Sequence, residues 1–145
     1  MCGIFAVIGS RDVSSLIFDG LRKLEYRGYD SAGIATIDNS INNQIGQLNI
    51  IKSKGKLINL ANLIKKKSPK GYVGIGHTRW ATHGKPNERN SHPHLDSLGQ
   101  IAVVQNGIIE NHRDLSESLK LKGIKFTSET DTELIPHLIR LEIEQ

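Results

Sequence analysis

Cysteine, methionine and tryptophan each occur once in the 145 residues, and aromatic side chains make up only 5%. A lone cysteine excludes an internal disulfide framework and any multi-cysteine zinc or iron–sulfur site. No apolar run approaches the roughly 20 residues that span a bilayer. The first nine residues carry no basic leader, and Arg11 and Asp12 follow them, so they do not read as a signal peptide. Few aromatics also weaken a nucleic-acid reading of the +4 net charge (19 basic against 15 acidic side chains). The excess sits largely in residues 52–56 and 65–70, with nothing interleaved to stack on bases. Lys65-Lys66-Lys67 is instead expected as the solvated end of a helix, where cations complement the dipole. These exclusions leave a cytoplasmic protein with neither a membrane nor a nucleic acid as partner.

What is present suits a single domain. Adding the fourteen glycines to the 37% hydrophobic fraction gives about 47% apolar residues, an ordinary globular value. The apolar run at residues 3–8 predicts a strand buried on both faces. Asp12 or Ser14 would cap a helix with a stripe of Leu16, Ile17, Gly20, Leu21 and Leu24. Residues 25–33 read as a glycine-marked loop before a strand at 34–37. Residues 39–43 read as a turn before a strand near 48–51. Helical spacing of Leu57, Leu60, Ala61, Leu63 and Ile64 ends at Pro69 and Gly71. Strands are expected at 72–78 and 100–104, separated by a long aperiodic stretch of the kind that is usually functional or mobile. A helix at 111–121, a short strand at 125–127 and a final helix follow. That helix would open with a Thr130/Glu133 capping box and bend at Pro136. Strands and helices in mixed order suggest an α+β layered fold.

Cys2 is the sharpest chemical feature. Most free cysteines are small buried hydrophobes, but removal of Met1 would put a thiol and an α-amine on one residue. An α-amine has a pKa of about 7.7–8.0, so roughly a third is neutral near pH 7.5. Such a nucleophile carries its own general base. Four of the six histidines fall in His77-Thr78-Arg79-Trp80-Ala81-Thr82-His83-Gly84 and Asn90-Ser91-His92-Pro93-His94. Their spacing matches no familiar metal-ligand pattern, so structural histidines and substrate contacts are the better expectation. Asn106-Gly107 between apolar residues is a strong type I′ hairpin signal. The same pair could also offer an amide and an N–H to a developing oxyanion. Asp131 could simply sit in a helix's first turn.

Together these segments resemble the glutaminase domain of the class II glutamine amidotransferases, a family of N-terminal nucleophile hydrolases. Met1-Cys2-Gly3-Ile4 is common to the wider class. The stretches 24–33, 77–84, 106–111 and 128–133 resemble the branch that passes ammonia to fructose 6-phosphate. The resemblance implies a four-layer αββα sandwich of the N-terminal nucleophile hydrolase type, with residues 2–145 as the N-terminal portion of the glutaminase domain. It implies that Cys2 attacks the side-chain amide of glutamine, while its α-amine first takes and then returns a proton. Asn106 and Gly107 would form the oxyanion hole, and Arg27 would orient the N-terminal residue. Arg79 would clamp the glutamine α-carboxylate, with Thr82 and His83 nearby; Asp131 would hold the α-ammonium, and Trp80 would close over the site. No metal or cofactor is expected.

Two departures qualify the resemblance. Gln105 stands where the family commonly has histidine, with little effect expected because the oxyanion donors belong to the next two residues. The similarity also covers only the front of the glutaminase domain, so the sandwich is expected to be incomplete on its C-terminal side. The sugar isomerase domains, which would bind fructose 6-phosphate, lie outside it. Full-length members of the family are expected to be homo-oligomers. The chain alone would then be the glutaminase half of an isomerising aminotransferase. The alternatives are the glutaminase domain of an amidotransferase for asparagine or phosphoribosylamine synthesis, and an inactive truncated fragment.

Overall fold

The computed structural model describes residues 1–38, 46–81 and 84–145. Its centre is an antiparallel sheet of β1 (Gly3–Ile8), β4 (Val73–Arg79), β2 (Ser31–Asp38) and β3 (Gln47–Lys54), in the spatial order β1-β4-β2-β3. Two helices, α1 (Ser14–Lys23) and α2 (Leu57–Lys67), cover one face. Side chains alternate across a strand, so Ala32, Ile34 and Ile51 meet Val13, Ile17, Leu21, Leu57 and Leu60 in the core under those helices. Gly74 and Gly76 let α1 approach closely, because a Cβ on either would lie 2.4 Å from an Ile17 side-chain carbon.

The opposite face meets a second, much smaller antiparallel sheet, β5 (His94–Leu95) with β6 (Ala102–Val103). The contact is tight at Gly33, where a Cβ would sit 2.2 Å from the His92 carbonyl oxygen. Beyond this sheet lie α3 (His112–Leu121) and α4 (Leu134–Ile143). Arg140 of α4 donates to Asp96 at 2.9 Å. Asp96 also accepts the Gln100 and Ile101 amides, each at 2.7 Å, closing the turn between the two short strands. The layers therefore run helices, sheet, sheet, helices, the αββα order expected, with the second sheet reduced to two strands.

Several local expectations give way to this arrangement. β1 is an edge strand rather than one buried on both faces: Ile4, Ala6 and Ile8 are exposed, because the short second sheet does not reach that edge. β2 begins at Ser31, so residues 31–33 belong to the sheet and not to the loop before it. Leu16 lies outside the buried stripe of α1, while Asp12 accepts the Ser14 amide at the helix start. The second half of the stretch after Arg79 is anchored in the interior, since Asn90, Ser91, His92, His94 and Asp96 are all buried, while residues 84–86, 88–89 and 97–98 stay exposed. Asn90 ties it down, donating to the Lys85 carbonyl and to Glu129 and accepting the Glu129 amide. Residues 125–127 form no strand.

The capping box is absent as well. Glu133 is buried and accepts instead from the amides and hydroxyls of Thr127 and Ser128, at 2.5–2.7 Å. Burial opposes its charge, yet these donors hold its carboxyl below the usual range. Pro136 falls in the first turn of α4, where its missing N–H is tolerated, so it marks the helix entry rather than an interior bend. The turn expected at residues 39–43 lies outside the described residues.

Candidate active site

The second face of the large sheet carries the chemistry. β4 presents His77 and Arg79 on that face, and β1 begins one residue after Cys2. Across from them run residues 104–109, which follow β6, and the 310 turn Asp131–Glu133 at the entrance to α4. These segments enclose a cleft of about 50 Å³ lined by Cys2, His77, Arg79, Trp80, His92, Gln105, Asn106, Gly107 and residues 130–132. A more open cavity of about 460 Å³ shares Cys2, Trp80, Asn106 and Gly107, and adds Met1, Arg27 and Ile108.

Cys2 Sγ accepts the Trp80 amide at 3.2 Å, and the Cys2 carbonyl accepts Asn106 Nδ2 at 3.3 Å. The Met1 ammonium donates to the Arg27 carbonyl at 2.7 Å, and Arg27 Nη2 lies 3.7 Å from Met1 Sδ. Arg79 is buried, with Nη2 3.5 Å from the Gly84 carbonyl. Asp131 accepts the Ile109 amide at 2.7 Å, which fixes one carboxylate oxygen and ties the Asn106-Gly107 segment to the 310 turn. Trp80 is half exposed and its ring lies against Gly28; a Cβ there would come within 2.9 Å of it, and Gly28 takes φ +76°. Thr82 and His83 lie outside the described residues. The remaining expected site residues, Cys2, Arg27, Arg79, Trp80, Asn106, Gly107 and Asp131, meet around these two cavities.

The Asn106-Gly107 pair does not make the type I′ turn. That turn needs positive φ at both central residues, and neither has it. β6 pairs back to β5, so the pair is free of hairpin duty and both residues face Cys2. Sequence reasoning left unassigned the residues that hold this segment. His77 Nε2 lies 2.8 Å from Asn106 Oδ1 and 3.2 Å from the Gln105 carbonyl. His92 stacks on His77 with ring centres 4.1 Å apart, and its Nδ1 accepts the Gln105 amide at 3.4 Å. Thr132 donates to Gln105 Oε1, and His94 meets Thr130 Oγ1, each at 2.8 Å. Asp30 accepts the Ala81 amide at 2.5 Å and donates its own amide to the Arg79 carbonyl, bracing the strand end beside Cys2. The crowding of histidines between residues 77 and 94 was the only sequence signal for this scaffold.

Burial keeps the three imidazoles neutral. It lowers His77 to about 4, with Arg79 adding a smaller push that the hydrogen bonds to Asn106 and Gln105 oppose. It lowers His94 to about 3, helped by Lys52 and Arg79, and drives His92 further still. Lys52, mostly buried on the same face, falls to about 8 for the same reason, against the pull of Glu133. Among the described residues, no three His, Cys, Asp or Glu side chains are grouped so as to hold a metal ion. No helix among them is long and apolar enough to cross a membrane. The arrangement sets a thiol and a guanidinium on one wall against an amide donor, a backbone N–H and a carboxylate on the other. Such a set of groups can serve acyl transfer on a substrate bearing both charges of an amino acid.

Comparison with known proteins agrees with that chemistry. Residues 77–145 match the family described as "Glutamine amidotransferase domain". The whole chain is also similar to a solved glutamine phosphoribosylpyrophosphate amidotransferase from B. subtilis, with a TM-score of 0.77 at 27% identity, covering 97% of this chain and 29% of that one. The chain belongs to the glutamine amidotransferases of the N-terminal nucleophile hydrolase class. It is 55% identical over 139 residues to the isomerizing glutamine–fructose-6-phosphate aminotransferase of Thermosynechococcus vestitus, covering 96% of this chain and 21% of that protein. The corresponding protein of Legionella pneumophila is 52% identical over all 145 residues, which make up 23% of its length. The chain thus spans about a fifth of the curated relatives it matches.

Proposed function

We propose that this chain is the N-terminal portion, residues 2–145, of the glutaminase domain of an isomerizing glutamine–fructose-6-phosphate aminotransferase. It hydrolyses glutamine to glutamate and ammonia. The observation that carries this reading is the meeting of Cys2, Asn106, Gly107, Arg79 and Asp131 around one cleft, from segments up to 129 positions apart in the chain.

Cleavage of the Met1–Cys2 peptide bond frees the α-amine. In its neutral form the amine takes the thiol proton, and Sγ attacks the side-chain carbonyl carbon of glutamine. The resulting oxyanion accepts from Asn106 Nδ2 and the Gly107 amide. The α-ammonium then returns its proton to the leaving nitrogen, ammonia departs, and a Cys2 thioester remains. Water adds to the thioester with the α-amine again as base, releasing glutamate and restoring the thiol. Arg79 pairs with the glutamine α-carboxylate through its planar fork, Thr82 and His83 contribute to binding the substrate, and Asp131 pairs with the α-ammonium. Arg27 steadies the segment that carries Cys2. The cleft of about 50 Å³ holds at most a water or two, so glutamine enters only when its walls part. The half-exposed Trp80 is the wall that moves, closing over bound substrate and guarding the exit of ammonia.

Ammonia then passes to fructose 6-phosphate, bound by the sugar isomerase domains of a longer, homo-oligomeric cytoplasmic enzyme. Identity of 52–55% to relatives carrying that name, against 27% to the phosphoribosylpyrophosphate amidotransferase, favours this acceptor. The direct test is Cys2→Ala: it should abolish both ammonia release from glutamine and labelling by a glutamine-like electrophile. Turnover that survives the substitution, or that persists in protein whose intact mass retains Met1, refutes the mechanism.

A further inference from the structure

We propose that His77 is a positioning residue that fixes the side-chain amide of Asn106 so that its NH2 points at the oxyanion. This inference rests on the glutaminase reading above and extends it to a residue no part of that mechanism yet uses.

Hydrogen-bond parity fixes where the proton sits. His77 Nε2 faces two oxygens, Asn106 Oδ1 at 2.8 Å and the Gln105 carbonyl at 3.2 Å. A ring nitrogen facing two acceptors must carry the hydrogen. The other tautomer would turn a lone pair toward both oxygens and bury an N–H on Nδ1, which has no hydrogen-bond partner. The imidazole is therefore neutral and protonated on Nε2. With Oδ1 so engaged, the Asn106 NH2 must point the other way, where it now reaches the Cys2 carbonyl at 3.3 Å. An amide turned over would set its NH2 against the imidazole N–H and its oxygen against the Cys2 carbonyl. Both ends of the amide thus select one orientation.

The ring itself is fixed. It is fully buried on β4, stacked on His92 at 4.1 Å with planes 13° apart. His92 in turn accepts the Gln105 amide, so the pair of rings holds both the N–H and the carbonyl of Gln105, the residue that leads into Asn106. A donor held in place before charge develops needs no reorganisation when it does, which is why preorganised donors carry so much of acyl-transfer catalysis. Burial keeps His77 uncharged at working pH, so its role is that of a fixed donor and not of an acid.

The test is a double-mutant cycle on the full chain. His77→Leu should lower kcat on glutamine about 100-fold with KM changed less than about threefold, the pattern expected when an oxyanion donor is lost. His77→Gln keeps an N–H near the Nε2 position and should recover most of that loss. Combined with Asn106→Ala, which already removes the amide, His77→Leu should cost almost nothing more. A residue that only supports the fold would instead multiply its loss onto that of Asn106→Ala and would not be rescued by Gln. Nitrogen NMR of the unmodified chain gives a readout independent of activity: the neutral Nε2–H tautomer of His77 should persist from about pH 5.5 to 8.

Independent losses, or an Nδ1–H tautomer, overturn the inference. Wild-type turnover that disappears in Cys2→Ala but survives undiminished in His77→Leu overturns it while leaving the glutaminase reading intact. A wild-type chain that releases no ammonia overturns both.

Discussion

Acidification should unfold this protein well before its carboxylates are protonated. His77, His92 and His94 lie in one buried cluster between the two sheets, the first two stacked and the third edge-on to His92, and all are neutral in the fold. In the unfolded chain each would titrate near 6.5, whereas in the fold His77 is lowered to about 4 and His94 to about 3, with His92 lower again. Between those limits the unfolded chain binds protons that the folded chain refuses. Stability is therefore full above about pH 6.5 and declines as the pH falls toward the folded values.

At pH 5 each ring contributes a loss of about 1.9 kcal/mol relative to pH 7, so three contribute about 5–6 kcal/mol. That is a large share of the ~5–15 kcal/mol typical of a domain. Lys52 is protonated in both states below pH 7, and Glu133, Asp96 and Glu129, all lowered, titrate below this window. The interval from pH 7 to 5 therefore isolates the histidines. Urea denaturation followed by circular dichroism should show the midpoint falling by about 2–3 M, taking m near 2 kcal/mol/M. His94→Asn should remove about a third of the decline. A midpoint that moves by less than about 0.5 M between the two pH values would mean that the three rings are not buried and neutral.

Other outcomes follow from the same geometry. Asn106→Ala should lower kcat for glutamine by about 100- to 1000-fold, measured as ammonia release in steady state. Arg79→Lys, which loses the planar fork, should mainly raise KM. Asp131→Asn should do the same and narrow the preference for free glutamine over glutamine with a blocked α-amine. Gly33→Ala would drive a methyl into the His92 carbonyl, with the Ile51 carbonyl also only 3.0 Å away. It should cost about 3 kcal/mol or more in urea unfolding. Glu133→Gln would turn an NH2 toward donors now shared between two carboxylate oxygens, and should cost about 3 kcal/mol by the same measurement.

Much of the molecule was legible because local signals and the final fold agree. The apolar stripe of Ile17 and Leu21 and the spacing of Leu57 and Leu60 gave α1 and α2, and both stripes face the large sheet. Cys2, Arg79, Asn106 and Asp131 stood out through residue type, position and likeness to a family, and they line one cleft. The misread elements are those whose environment comes from elsewhere in the chain. The run at residues 3–8 looks suited to burial on both sides, but an edge position leaves every second residue exposed. Asn106-Gly107 has the composition of a hairpin turn, yet β6 pairs with the strand before it. Residues 84–99 look loose because what holds them is Asn90, His92, His94 and Asp96 bonding to distant segments rather than any periodicity.

Residue order by itself determined which side chains are available for chemistry, since identity and the number of bonds separating Cys2 from the first peptide link are covalent facts. It also fixed the helices, whose period is written in neighbouring residues. Only the tertiary structure decided which imidazole faces which amide and which rings lose their charge. Those properties depend on distance and on exclusion of water, and both are created when the two sheets close on residues far apart in the chain.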